Sequence, residues 1–211
     1  MRKTLLLLLF FVFSSFLTLN LQAEQQVKLV DLQKLDPTIV VELVYATEDN
    51  FTGQAVYPQG SRAYLREEVA EKLLRVQKKL KKIGLSLKVW DAYRPLSVQY
   101  KFWEIYPVPG FVADPKIGSN HNRGAAVDVT LVDSKGKELA MPTKFDDFTE
   151  KAGRDYYNLP AEAIKNRQIL EDYMVSEGFV PLRTEWWHFD DENVKNYPVL
   201  DIPIDKVKSE K

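Results

Sequence analysis

Gly118-Ser119-Asn120-His121-Asn122-Arg123-Gly124-Ala125-Ala126-Val127-Asp128-Val129-Thr130-Leu131-Val132 passes from a polar loop into an apolar run, and the run carries a carboxylate. Ala125 to Val132 reads as a strand, closed by the turn Asp133-Ser134-Lys135-Gly136. An aspartate between Val127 and Val129 has to be explained, because a carboxylate buried without a partner is costly. A divalent cation is one partner. Gly124, Ala125 and Ala126 let the backbone pass close beneath an ion, so that His121 and Asp128 converge on it. The plainer alternative is an Asp128 hydrogen-bonded to backbone and a His121 on a surface loop.

Outward from this stretch, strands and helices are mixed without regular alternation. Thr38 to Tyr45 reads as a buried strand after the turn pair Asp36-Pro37. Tyr64 to Ile83 is the clearest helix: Leu65, Val69, Leu73, Val76, Leu80 and Ile83 recur every three or four residues, and Gly84 stops it. Its lysines and arginines form a solvated face. Leu85 to Trp90 is a strand and Asp91 to Pro95 a turn. Pro95 opens a second helix running to Ile105, and Ala161 to Glu177 is a third, stopped by Gly178. Arg183 to Phe189 reads as a last strand, and beyond Pro198 the chain becomes a polar tail. The expectation is an α+β domain with a small, mainly antiparallel sheet packed with helices.

Composition narrows the function. A chain of 211 residues with 45% hydrophobic residues supports one packed domain. Lys+Arg 29 against Asp+Glu 30 leaves no basic excess for a nucleic acid. Without cysteine there are no disulfides and no thiolate ligands or nucleophiles. Only two histidines exist, so a site built on imidazole uses His121, His188 or both.

His188 ends the segment Glu185-Trp186-Trp187-His188. Residues three apart in a regular strand face opposite sides, so Glu185 and His188 reach one centre only if the strand bulges or ends near Trp186. Taken alone, the segment also fits two core tryptophans, a core histidine and a solvated glutamate. Taken with the first stretch, it completes a two-His, one-Asp set of the kind that holds catalytic zinc, with Glu185 spare as general base. Calcium and magnesium prefer all-oxygen shells. In Trp90-Asp91-Ala92-Tyr93-Arg94-Pro95, Arg94 stands at a strand end, ready for a developing oxyanion or simply paired with Asp91.

These segments together resemble the VanX-type D-alanyl-D-alanine dipeptidases, zinc D,D-peptidases that share a fold with the hedgehog signalling domain. The family's Ser-x-His-x-x-Gly-x-Ala-x-Asp pattern is met by Ser119, His121, Gly124, Ala126 and Asp128, and its Glu-x-Trp-His pattern by Glu185, Trp187 and His188. Tyr93-Arg94-Pro95 and the segment Tyr45 to Gly53 match as well, and the likeness runs from about Val40 to Pro198. The resemblance implies one zinc per chain held by His121, Asp128 and His188, with Glu185 as base and Arg94 as oxyanion stabiliser. It also implies that Tyr45, Ser119 and Asp146 bind the free ammonium end of a small dipeptide. A D,D- or L,D-carboxypeptidase is the nearest alternative, with no use for an ammonium clamp. A non-catalytic zinc-containing binding module is the other.

Arg2 and Lys3 precede an apolar run from Leu5 to Leu19, followed by Ala23. This has the layout of a secretory signal peptide over residues 1–23, leaving 24–211 as the domain, exported to the periplasm without a stable membrane anchor. Several family members act in the cytoplasm. An exported enzyme would instead hydrolyse dipeptide released from peptidoglycan outside the inner membrane.

Overall fold

The computed structural model describes residues 27–208, and the expected leader over 1–23 lies outside the described residues. The described chain is α+β. Its main sheet has the strand order β2-β4-β5-β7-β6, formed by Val40–Val41 (β2), Leu85–Asp91 (β4), Ala126–Asp133 (β5), Phe179–Pro181 (β6) and His188–Asp191 (β7). All neighbours are antiparallel except β2 and β4. A second, two-stranded sheet joins β1 (Leu29–Asp31) to β3 (Tyr64–Arg66).

Strand β5 is the centre. Residues 126–132 are all buried, which is why this strand reads as a continuous apolar run rather than an alternating one. The helices are α1 (Leu32–Leu35), α2 (Glu67–Lys81), α3 (Leu96–Ile105) and α4 (Ala161–Val175). Along α2, Val69, Ala70, Leu73, Val76 and Leu80 are buried on one stripe, while Lys78, Lys79 and Lys81 occupy its last turn, where cations suit the helix dipole. Gly84 follows at φ +75, a conformation glycine adopts without strain.

Four expectations need correction. The helix expected from Tyr64 begins at Glu67, because Tyr64–Arg66 pairs with Leu29–Asp31. The strand expected over Thr38 to Tyr45 pairs only at Val40–Val41. Val44–Ala46 then turns as a 3-10 helix and carries Tyr45 inward. The strand expected over Arg183 to Phe189 starts only at His188, after the β6 strand and a turn. The C-terminal segment is docked rather than a trailing tail: Leu200 N donates to Asn122 O, Ile202 exchanges hydrogen bonds with the Tyr93 hydroxyl, and Ile204 is buried.

Candidate active-site cavity

Sheet register assembles the site. Strands β4 and β5 pair in step up to Val89 opposite Val129, and the register then slips so that Asp91 stands opposite Asp128. Such an irregularity re-aims side chains where regular pleating would not. On the other side of β5, Asp128 stands opposite His188. Three polar side chains from three adjacent strands thus meet at the middle of an apolar sheet.

His121 arrives from the loop before β5. Ser119 caps the 3-10 turn Asn120–Arg123: its Oγ accepts from His121 N at 3.3 Å, and Asn122 Oδ1 accepts from Ser119 N at 2.6 Å. Gly124 ends the turn at φ +66, and a Cβ there would lie 2.9 Å from Leu29 Cδ2. Conformation and close approach both require glycine at this position.

The imidazoles are oriented by their outer nitrogens. His121 Nδ1 lies 2.7 Å from Ala92 O, which can only accept, so Nδ1 carries the hydrogen and Nε2 presents a lone pair. His188 Nε2 lies 2.9 Å from Asp190 Oδ1, which leaves Nδ1 as the inner lone pair. These two inner nitrogens are 3.1 Å apart, and both face the Asp128 carboxylate, at 3.3 Å from His121 and 3.0 Å from His188. Two nitrogen lone pairs and a carboxylate converging in a buried space repel one another unless a cation lies among them. That cation is a metal ion or, in its place, a proton: despite burial, hydrogen bonds to Asp128 and Asp190 hold a proton on His188 well above the usual imidazole range. With metal–nitrogen bonds of about 2.0–2.1 Å, a tetrahedral ion places its ligands about 3.3 Å apart, close to the spacing here. The donor set therefore fits a zinc-like ion. Burial alone would raise the Asp128 carboxyl; the His121 and His188 imidazoles outweigh it and hold the group below the usual carboxylate range.

A cavity of about 340 Å³ opens onto this cluster, and all eight residues singled out from the sequence line it. Glu185 sits in the turn before β7, so the strand break that Glu185 and His188 require is present. Burial pushes the Glu185 carboxyl up to about 7; the Asp128 charge adds to this, and His188, His121 and Arg94 oppose it. Arg94 is buried, not a surface side chain. Its Nε and Nη2 donate to Asp91 Oδ2 at 3.0 and 2.6 Å, and its Nη1 donates to Gln99 Oε1 at 2.8 Å. The pairing with Asp91 and a place in the cavity are therefore compatible, and a guanidinium keeps donors to spare beyond these bonds.

Asp146 faces the cavity from the loop before α4, at φ +56, alone among the described non-glycine residues in having positive φ. The Tyr45 hydroxyl donates to its carboxylate, with both oxygens at 3.0–3.1 Å. Burial first, then the Asp128 charge, push the Asp146 carboxyl well above its ordinary value despite Tyr45 and Arg94. Ser119 reaches the same cavity while its hydroxyl caps the His121 turn.

Sequence reading missed Asp190 and Gln99. Asp190 had a legible signal, since it lies two residues after His188 in a strand and so shares its face. Gln99 had none: a glutamine on a mixed helix reads as surface, yet it bridges Arg94 to Ala113 O.

Fold and cavity together bring His121, Asp128 and His188 into a buried cluster able to hold a metal ion. Residues 25–206 match the peptidase family described as D-Ala-D-Ala dipeptidase, and the chain belongs to that family. The D-alanyl-D-alanine dipeptidase of Escherichia coli (strain K12) is 39% identical over 173 residues, 82% of this chain and 89% of that protein. The enzyme of that name from Enterococcus faecium is 30% identical over 69% of this chain and 82% of its own. Among solved structures, a loose likeness to the LdcB LD-carboxypeptidase has a TM-score of 0.41 at 22% identity, over 70% of this chain and 71% of that one.

Proposed function

We propose that this chain hydrolyses D-alanyl-D-alanine to two molecules of D-alanine, with one zinc ion per chain held by His121, Asp128 and His188. The observation that carries the reading is the convergence of two oriented imidazole lone pairs and a carboxylate beside the buried Glu185, in one cavity. A bound zinc ion would supply Lewis-acid polarisation and an acidified water molecule.

The chain's own residues account for the rest. Glu185, balanced near 7, takes a proton from the attacking water and returns it to the leaving amine; a base works best with a pKa close to the operating pH. Arg94 directs its remaining donors at the carbonyl oxygen as that oxygen gains charge, and Asp91 and Gln99 hold the guanidinium so that it need not reorganise. At the amino side, Asp146 with Tyr45 and Ser119 binds the substrate ammonium, which turns an unfavourable buried carboxylate into a paired one. Phe51, Phe102, Phe111 and Phe148 wall the cavity and exclude water.

The buried carboxyl at 146 favours a dipeptidase over a carboxypeptidase, because a substrate with a free amino terminus offers it a charge partner in place of the proton that burial makes it keep. Glu185 and Arg94 in the cavity argue against a purely binding module, since holding a structural ion needs neither. The deciding experiment offers zinc-loaded protein free and N-acetylated D-Ala-D-Ala and measures D-alanine release. Cleavage of the free dipeptide alone is expected. Cleavage of both makes the chain a carboxypeptidase, and cleavage of neither removes the peptidase reading. Glu185→Gln should abolish turnover while zinc content stays at one per chain.

Export belongs to the same proposal. It rests on the basic start, apolar run and Ala23 of residues 1–23, and places the reaction outside the inner membrane, on dipeptide released from the wall. Amino-terminal sequencing of protein recovered from the periplasm should begin at Glu24.

A further inference from the structure

Glu185 lacks a support of its own. Among the described residues nothing hydrogen-bonds its carboxyl, and only burial and charge act on it. Its position is therefore inherited from the turn that carries it. That turn is held from one side by a single buried guanidinium. Arg154 donates from Nε to Leu182 O at 2.8 Å, and from Nη2 to Trp186 O at 2.9 Å and His188 O at 3.1 Å. Its Nη1 donates to Glu171 Oε2 of α4 at 2.8 Å, and the guanidinium lies 4.5 Å above the centre of the Phe189 ring. Two backbone bonds run alongside: Arg154 N donates to Arg183 O, and Trp186 N to Ala152 O. Three carbonyls that bracket Glu185 are thus bound to one planar, rigid group that is itself anchored to a helix.

We infer that Arg154 is a positioning residue for Glu185, setting the distance of that carboxyl from the reacting water through the backbone of residues 182–188. Its side chain does not line the cavity, and of the His-His-Asp cluster it meets only the backbone carbonyl of His188. The inference rests on the reading of Glu185 as the base. Its physical basis is the match between a guanidinium's fixed fork and carbonyls in fixed places, which a lysine ammonium cannot reproduce. A displacement of about 1 Å at a reacting group lowers a rate by about 100-fold, so a modest relaxation of the turn is enough to register.

Arg167 provides the control. It too is buried and donates to backbone carbonyls, those of Gly153 and Tyr156 at 3.1 and 3.0 Å, but to none in the Glu185 turn. The test compares Arg154→Lys and Arg167→Lys, both zinc-loaded and assayed well below their melting temperatures, with kcat and KM separated and the acid limb of kcat/KM recorded. Arg154→Lys should lower kcat by about 10- to 100-fold with KM within about threefold, and should move the acid limb. Arg167→Lys should melt lower yet keep kcat within about threefold and leave the acid limb in place. A folded Arg154→Lys with wild-type kcat, or equal kcat losses in the two variants, overturns the inference. If Arg154→Lys does not fold, Glu171→Gln keeps the guanidinium but removes the charge that anchors it. A several-fold loss confined to kcat then supports the inference, and an unchanged kcat overturns it. Failure of the underlying reading looks different: Glu185→Gln would itself retain turnover.

Discussion

Replacing Asp146 with asparagine tests the amino side of the cavity with little disturbance to the fold. The position has φ +56, which asparagine tolerates nearly as well as aspartate, and the amide oxygen still accepts from the Tyr45 hydroxyl. The charge is what disappears. A hydrogen bond to a charged group contributes about 1.5–3 kcal/mol, so kcat/KM for D-Ala-D-Ala should fall by about 10- to 100-fold. The N-acetylated dipeptide brings no ammonium, so the preference for the free form should shrink by the same factor. Stability should move the opposite way. Burial and the Asp128 charge raise the Asp146 carboxyl in the folded state, so above the unfolded carboxyl's pKa the native protein retains a proton that the unfolded chain has lost. Stability therefore declines as pH rises through that window, and the aspartate destabilises the substrate-free fold at pH 7. Asp146→Asn should melt higher than wild type at pH 7, and the difference should vanish below about pH 4, where the unfolded carboxyl is protonated too. D-alanine release and thermal melts read both effects. An unchanged kcat/KM for the free dipeptide, or equal losses on the two substrates, would refute the ammonium assignment.

Glu185 offers a second pH test on metal-free protein. Its folded value of about 7 lies above that of an unfolded glutamate, so it should remove about 3 kcal/mol of stability between pH 4 and 8, and Glu185→Gln should flatten that decline in urea titrations. Asp91→Asn leaves the Arg94 guanidinium buried without its counter-charge and loosens its bonds to Tyr57, Ala92 and Arg94. Breaking a buried pair costs about 3–5 kcal/mol, so this variant should unfold at much lower denaturant and lose kcat. Gly124→Ala places a Cβ 2.9 Å from Leu29 Cδ2 at φ +66, and should destabilise the protein by at least about 1–2 kcal/mol in denaturant melts.

Local pattern carried much of the fold. The apolar stripe of α2, the strands β4 and β5 and the ends of α4 follow from side-chain periodicity and from Gly84 and Gly178. The failures share a cause. Tyr64–Arg66 has helical spacing by itself and becomes a strand only because Leu29–Asp31 lies beside it. The run from Thr38 has strand composition, yet pairing stops at Val41 and the 3-10 turn takes over. In both cases a partner remote in sequence, or its absence, decided the outcome.

The candidate site divides along the same line. Sequence alone determined which groups were available: two histidines, an aspartate inside an apolar run, a glutamate and an arginine beside aromatics, each conspicuous because its neighbours are apolar. Tertiary structure decided what those groups face. Asp128 and His188 are 60 residues apart and meet through strand register; Tyr45 and Asp146 are 101 apart and meet where a 3-10 turn packs against a loop. Of the supporting residues only Asp190, on the same strand face as His188, left a periodic trace; the bond of Gln99 to Arg94 and the three bonds of Arg154 to the Glu185 turn follow no period in the sequence. Periodicity records which side of an element is buried, whereas convergence depends on register and loop closure, which only the packed chain defines.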